Sequence, residues 1–332
     1  MSVRVGLLGA GFIGRIHALN LSKDKRVDLV GVADVVPQAA QRLAGEVGTK
    51  AMSSLDALLE AHVEAVYVAT PNTMHVEPVL QALRAGVHVF SEKPMATSLD
   101  GAWRIREAAR RAKSVYQLGF NRRFSNVYAF ARRLIQDGRI TPYAAQMKHN
   151  RGELRQPPWT GDPTVTGGYL YETPVHLFDM GRFLFGDVQE IQGYARRSVY
   201  QEPDGFVMLV RFNSGVIASF TSVAHTSWLF PYERVEIYGA HQTVVTEELE
   251  RAWFSPGMRD QVEAVDCFQM PFEQKWGYVT EDRLFIDAAL GERPPAVTAD
   301  DGYRATELVE ACYTASREGR VVTLPLPEPA PR

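Results

Sequence analysis

Over the first third of the chain, short apolar runs alternate with longer segments whose apolar positions recur every three or four residues. The runs "VRVGLLG", "VDLVGVAD", "EAVYVAT", "VHVFSEKP" and "SVYQLGF" read as strands, and the periodic segments between them predict helices over residues 12–22, 37–47, 75–85 and 98–112. Nearly continuous apolar strands separated by amphipathic helices imply a parallel sheet covered on both faces. The expectation is an α/β, doubly wound Rossmann domain over residues 1–121.

Beyond that point the pattern changes. After "GFNRRF", a helix to about residue 138 leads into "YAAQMKHNRG" and then a loop rich in Pro and Gly, "GELRQPPWTGDPTVTGG". A helix from Glu172 to Phe185 precedes "GFVMLVRF", "GVIASFTSVA" and "ERVEIYGAHQTVV", which alternate with period two and are separated by turn residues. This predicts a second, α+β domain over residues 122–332 with a large, mainly antiparallel open sheet. Helices over about residues 276–290 and 301–318 carry apolar residues at core spacing, and the closing "LPLPEPAPR" should fray. One sheet face is left uncovered by this plan, so a homodimer or homotetramer through that face is expected.

Composition removes several function classes. The chain has 332 residues, is 45% hydrophobic and 23% charged, and carries a formal net charge of −3. Nothing in it resembles a basic groove for nucleic acid, and no apolar stretch is long enough to cross a membrane. The opening "MSVRVGLLGAG" lacks the features of an export signal, which points to the cytoplasm. Cys267 and Cys312 fit no CxxC pattern, so buried reduced thiols and no metal site are expected. The expected partner is a small molecule.

The candidate chemistry begins at Gly9-Ala10-Gly11-Phe12-Ile13-Gly14, which follows the first strand and opens the first helix. In a dinucleotide fingerprint, Gly9 permits the tight turn, Gly11 lets the backbone approach a pyrophosphate, and Gly14 allows close helix–sheet packing. Amides at the helix start, those of Phe12 and Ile13 among them, favour an anion. Asp34 ends the second strand about 20 residues past Gly14, where a carboxylate holds ribose hydroxyls, and Val35 and Val36 follow it with no adjacent arginine for a 2′-phosphate. NAD is therefore expected over NADP.

Two further strand ends should face the same crevice. One carries Thr70-Pro71-Asn72 with His75 shortly after; the alternative for these is a capped turn. The other carries Glu92 and Lys93, where a lysine at the end of a buried strand costs desolvation energy unless it meets a ligand or counter-charge, the alternative being a solvated loop lysine.

In "GGYLYETPVHLFDMGRFLFG", Glu172 and His176 lie four positions apart at a helix start. Thr173 reads as the N-cap and Pro174 as the first helical residue, which places His176 in the first turn. The positive helix end disfavours a further proton there, so the imidazole tends to its neutral form and can act as a base. The alternative is a helix-favouring Glu172 with a structural His176; Asp179 is read as structural. Asn121, Arg122, Trp159 and Tyr278, with Arg123 and Trp276 behind them, are candidates for a pocket wall, since aromatic faces suit sugar C–H surfaces and arginine suits hydroxyl or carboxylate groups.

Five segments in order, "GLLGAGFIGRIHA", "ATPNTMHVEPVLQALRAGVHVFSEKPMATS", "GFNRRF", "GGYLYETPVHLFD" and "YVTEDRLFIDAALGERPPAVTADDGYRATELVEACYTAS", resemble the Gfo/Idh/MocA family of oxidoreductases over nearly the whole chain. The resemblance implies an NAD(P)-dependent dehydrogenase or reductase of a sugar, cyclitol or related CH–OH group. It implies that Lys93 of the Glu-Lys-Pro motif lies near the nicotinamide and reacting hydroxyl, and that His176 serves as acid/base. Position at the crevice puts Thr70, Asn72 and His75 on the cofactor side, and Glu92, Lys93 and Asn121 are placed there with them. The chain departs from the family's Asp-x-x-x-His pattern at Glu172, whose extra methylene moves the carboxylate. Two rivals keep the fold: a dinucleotide-dependent sensor, and an NAD-dependent glycosidase.

Overall fold

The computed structural model describes residues 2–151, 158–227, 231–259 and 261–330; part of the "GELRQPPWTGDPTVTGG" loop lies outside them. The chain divides into two compact units, Met1–Phe120 with Tyr278–Arg304, and Asn121–Gly277 with Ala305–Arg332. An unbroken second domain over residues 122–332 was the expectation, and the segment 278–304 departs from it by joining the first unit. The reason is burial: Phe285 and Ile286 complete the apolar cluster built by Val5, Leu7, Tyr67 and Phe90.

The first unit holds six parallel strands, β1 (Val3–Leu8), β2 (Val27–Ala33), β3 (Lys50–Met52), β4 (Ala65–Val68), β5 (His88–Glu92) and β6 (Tyr116–Gly119). Their order is β3-β2-β1-β4-β5-β6, so the direction of winding reverses between β1 and β4. The crevice beyond the carboxyl ends of the strands at that reversal is where ligands bind in such sheets. All four residues of β4 and of β6 are buried, as a sheet covered on both faces requires. The predicted helices appear as Phe12–Leu21, Pro37–Val47, Val76–Arg84 and Leu99–Arg111, the last capped by the Ser98 hydroxyl.

The second unit carries β7 (Ala144–His149), β8 (Val188–Arg196), β9 (Gly205–Phe212), β10 (Ile217–Val223), β11 (Glu233–Gly239), β12 (Gln242–Glu247), β13 (Arg251–Ser255), β14 (Glu263–Asp266) and β15 (Val322–Thr323) in one sheet. Its order is β14-β13-β12-β11-β7-β10-β9-β8-β15, and every pairing is antiparallel except β10 with β7. Alternating burial along β9 and β11 puts one face on the helices Asn126–Gln136 and Val175–Phe185. The opposite face shows exposed Tyr194, Val207, Leu209 and Ile217. The chain's end is more fastened than its proline content suggests: β15 pairs with β8, and the Leu326 amide donates to Glu307 Oε1 at 2.8 Å.

Among the described residues, no helix is long and apolar enough to cross a membrane. Cys267 and Cys312 are both buried and unbridged.

Candidate active site

The turn after β1 is shaped by its glycines. Gly9 has a φ of 107°, and a Cβ there would fall 2.3 Å from the Ala69 carbonyl oxygen, at the end of β4. A Cβ at Gly14 would fall 2.0 Å from the Gly9 carbonyl oxygen, so only glycine lets the helix start this close to the turn. Around Gly11, by contrast, nothing lies within 4 Å of the Cβ position. Gly11 is the N-cap of Phe12–Leu21, supplies no side-chain cap, and is followed by no acidic residue in the first turn. The positive end of this helix is thus neither capped by a side chain nor screened by a first-turn carboxylate, and it faces open space at Gly11.

Asp34 stands just past β2 and is tied to this loop. Its Oδ2 accepts from the Ala10 amide at 2.7 Å and its Oδ1 from the Val36 amide at 2.8 Å. Each carboxylate oxygen keeps a second lone pair, enough for a ribose hydroxyl. The side chains of Val35 and Val36 that follow are exposed and apolar. A turn with no room for a Cβ at Gly9 or Gly14, a helix start without a side-chain cap and an anchored carboxylate together fit a dinucleotide.

At the end of β4, the Thr70 hydroxyl donates to the Met74 carbonyl at 3.3 Å, and Asn72 opens a short 3₁₀ turn, Asn72–Met74. His75 is fully buried, its Nδ1 2.7 Å from the Pro94 carbonyl oxygen and its Nε2 2.8 Å from that of Thr70. Burial pushes its pKa down, against the pull of the two carbonyls, and a neutral ring donates to only one of them. His75 therefore fastens the β4 and β5 loops together. Glu92, the last residue of β5, is likewise turned inward: its Oε1 lies 3.0 Å from His17 Nε2, and its Oε2 accepts from the Lys93 amide at 3.0 Å. It supports the strand end that carries Lys93. Lys93 follows it at the mouth of the sheet and precedes a cis peptide to Pro94.

In the second unit the predicted helix from Glu172 to Phe185 is two helices. Tyr169–Glu172 ends at Thr173, and Val175–Phe185 begins after Pro174, which stands at the N-cap with no side-chain cap bond. The expected Thr173 cap is absent because the residue terminates the preceding turn, and its hydroxyl is buried without a hydrogen-bond partner. His176 keeps its expected place in the first turn. Its amide meets the Thr173 carbonyl at 3.4 Å, and its ring centroid lies 6.5 Å from that of His149. Glu172 and His176 are both buried. Asp179, on the same helix, is structural: it accepts from Arg123 at 2.6 and 2.9 Å.

His149 belongs to a cluster that sequence reading missed. Glu233 accepts from Arg122 Nε at 2.9 Å and from the Tyr128 hydroxyl at 2.8 Å, with His149 Nε2 3.6 Å away. Burial pushes nearby Glu248 up to about 7, and the charge of Glu233 adds to the shift. The structure thus gives Arg122 a buried ion pair, and its guanidinium also lies 5.4 Å from the Trp276 ring centroid. Asn121 donates to the Trp276 carbonyl at 2.9 Å and so holds a turn of the second unit. Tyr278 packs edge-on to His17, with centroids 5.9 Å apart, inside the first unit. Trp159 is partly exposed on the short turn Pro158–Gly161. Of the four wall candidates, only Trp159 presents an open surface.

Fold and fingerprint define an NAD-binding α/β protein with a second sheet domain. Residues 3–120 match the description "Oxidoreductase family, NAD-binding Rossmann fold", and residues 132–324 match "Oxidoreductase family, C-terminal alpha/beta domain". The chain belongs to this family, Gfo/Idh/MocA, and is an oxidoreductase. It is 28% identical to inositol 2-dehydrogenase of Rhizobium meliloti (strain 1021), covering 98% of this chain and 100% of the relative. It is 30% identical to 1,5-anhydro-D-fructose reductase of Ensifer adhaerens, covering 97% and 98%. The crystal structure of GenD2 from gentamicin A biosynthesis in complex with NAD superposes with a TM-score of 0.84 at 26% identity, covering 98% and 97%.

Proposed function

We propose that the protein transfers a hydride between NAD and a secondary alcohol or ketone of a sugar, cyclitol or sugar derivative, with Lys93 and His176 as the working pair. The observation that carries this is the placement of Lys93 immediately after β5, next in the sheet to the β1/β4 reversal that holds Gly9–Gly14 and Asn72. The relatives named for an inositol and an anhydro-sugar support the substrate class.

Bound NAD supplies a two-electron acceptor for the substrate carbon. The chain's own residues handle the oxygen and its proton. The Lys93 ammonium orients the hydroxyl and stabilises negative charge as it grows on oxygen. The His176 imidazole takes the hydroxyl proton, without which the carbon cannot release its hydride. Glu172, close in sequence, holds the substrate or the imidazole. Asp34 favours NAD, since its charge repels a 2′-phosphate and the two valines after it offer no cation.

A panel of polyols and sugars with NAD or NADP, and of ketoses with the reduced cofactors, tests the reading by absorbance of the reduced nicotinamide. Net turnover with at least one cyclic polyol or sugar, faster with NAD, is expected. Tight NAD binding without net turnover on any of them would instead favour the sensor or the glycosidase.

We also infer that a second copy of the chain covers the exposed sheet face. Tyr194, Val207, Leu209 and Ile217, each more than half exposed, are the support. Light scattering should give an even multiple of the 37.1 kDa chain mass, and a single-chain mass at micromolar concentration would refute this.

A further inference from the structure

His17 lies on the inner face of the helix Phe12–Leu21 that the glycine loop opens, and it is fully buried. Its Nδ1 is 2.6 Å from Asp282 Oδ1 and its Nε2 is 3.0 Å from Glu92 Oε1. Asn20, one helical turn on, donates to the other Asp282 oxygen at 2.8 Å. The rings of Tyr67, Phe90 and Tyr278 close around the imidazole, with centroids 5.0 to 5.9 Å away. With both carboxyl groups ionised, both ring nitrogens must donate, which only the imidazolium does. Burial works against that charge, but Asp282 and Glu92 outweigh it and hold the pKa well above its usual value. Other titratable groups facing this cluster include Glu281 and Tyr278 beside Asp282, Tyr67 on β4 with Asp24 beyond it, and Lys93 and His75 beyond Glu92.

The Glu92 carboxylate is held on three sides. His17 takes one oxygen and the Lys93 amide donates to the other. A Cβ at Gly119, on neighbouring β6, would stand 3.0 Å from Oε1, so that position leaves just enough room for the carboxylate. On the far side of Lys93, the Pro94 carbonyl is met by His75. The backbone around the lysine is thus set by groups that need not touch substrate.

We propose that His17 is a positioning residue: clamped between Asp282 and Glu92, it fixes the strand end that carries Lys93 and links it to the helix that opens at the dinucleotide loop. The proposal rests on the role given above to Lys93. A catalytic group displaced by a fraction of an ångström loses turnover long before it loses binding partners.

Three variants and one spectrum test it, with the substrate found in the panel. In the ligand-free enzyme, ¹⁵N spectra of the histidine rings should show one imidazole still doubly protonated at about pH 8, missing in His17→Gln. His17→Gln should lower kcat roughly tenfold or more, with substrate KM and the calorimetric Kd of NAD within about twofold. Gly119→Ala, which crowds the same carboxylate from β6, should give the same kcat-against-KM split to a smaller degree, and it carries the test if His17→Gln does not fold. Wild-type kcat in both variants beside an inactive Lys93→Ala would overturn the positioning role and leave the Lys93 reading intact. An active Lys93→Ala would overturn that reading itself. Equal losses in kcat, NAD binding and unfolding midpoint would reduce His17 to a structural residue, as would a neutral ring in the spectra.

Discussion

Replacing His176 by alanine is expected to lower turnover by about 10²- to 10⁴-fold, the usual worth of a positioned base. NAD affinity should change little, because the groups that fit the dinucleotide, Gly9 to Gly14 and Asp34, all belong to the first unit, whereas His176 opens a helix of the second. Without the imidazole, the substrate proton must pass to water or hydroxide. The variant's residual rate should therefore keep rising with pH where the parent levels off. Measuring kcat/KM and kcat against pH for the two proteins checks both statements, and equal turnover would remove His176 from the mechanism.

Lys93→Ala is expected to be nearly as damaging, about 10²- to 10³-fold in kcat, the range seen when one donor to a developing oxyanion is removed. Lys93→Arg should not restore the rate. The guanidinium is planar and longer, and the strand end it would grow from is set by Glu92 and His75, which leaves little freedom to readjust. If both single variants lose activity, the double variant should lose far less than the product of the two, because groups that act as a unit are not additive.

Much of the first unit was legible because its signals are local. The fingerprint glycines can be read from their spacing, and the structure shows why two of them are needed: a backbone oxygen lies 2.3 Å from a Cβ at Gly9 and 2.0 Å from one at Gly14. β3 was missed because it is three residues long at the sheet edge, with no buried residue to imprint a pattern. The helix Leu55–Glu60 was missed although its Ser54 cap is plain in the sequence. Thr173 and Pro174 carry a cap signature, yet the turn before them is helical too, and tertiary packing moved the boundary.

The partners of several candidate site residues were not legible in the sequence, because they are distant or featureless. His75 sits between two carbonyls, and a carbonyl leaves no mark in a sequence. Arg122 looked free for a substrate but is neutralised by Glu233, 111 positions away. His17 looks like any helical residue in "GRIHALN", and its counter-charge Asp282 lies 265 positions further on. Tyr278 was placed on a pocket wall because the return of residues 278–304 to the first unit has no local signal. One clue was available: two acidic residues, Glu281 and Asp282, stand just before the apolar Leu284, Phe285 and Ile286 of one helix, and carboxylates packed with such a run ask for a buried cation.

The central claim is the movement of one hydrogen from a substrate carbon to the cofactor, and its most direct test follows that atom. A substrate from the panel bearing deuterium at the reacting alcohol carbon is turned over with NAD, and the reduced cofactor is weighed by mass spectrometry. One deuterium in every reduced nicotinamide is the result predicted. Reduced cofactor carrying only protium, or substrate converted with no reduced cofactor accumulating, would contradict it.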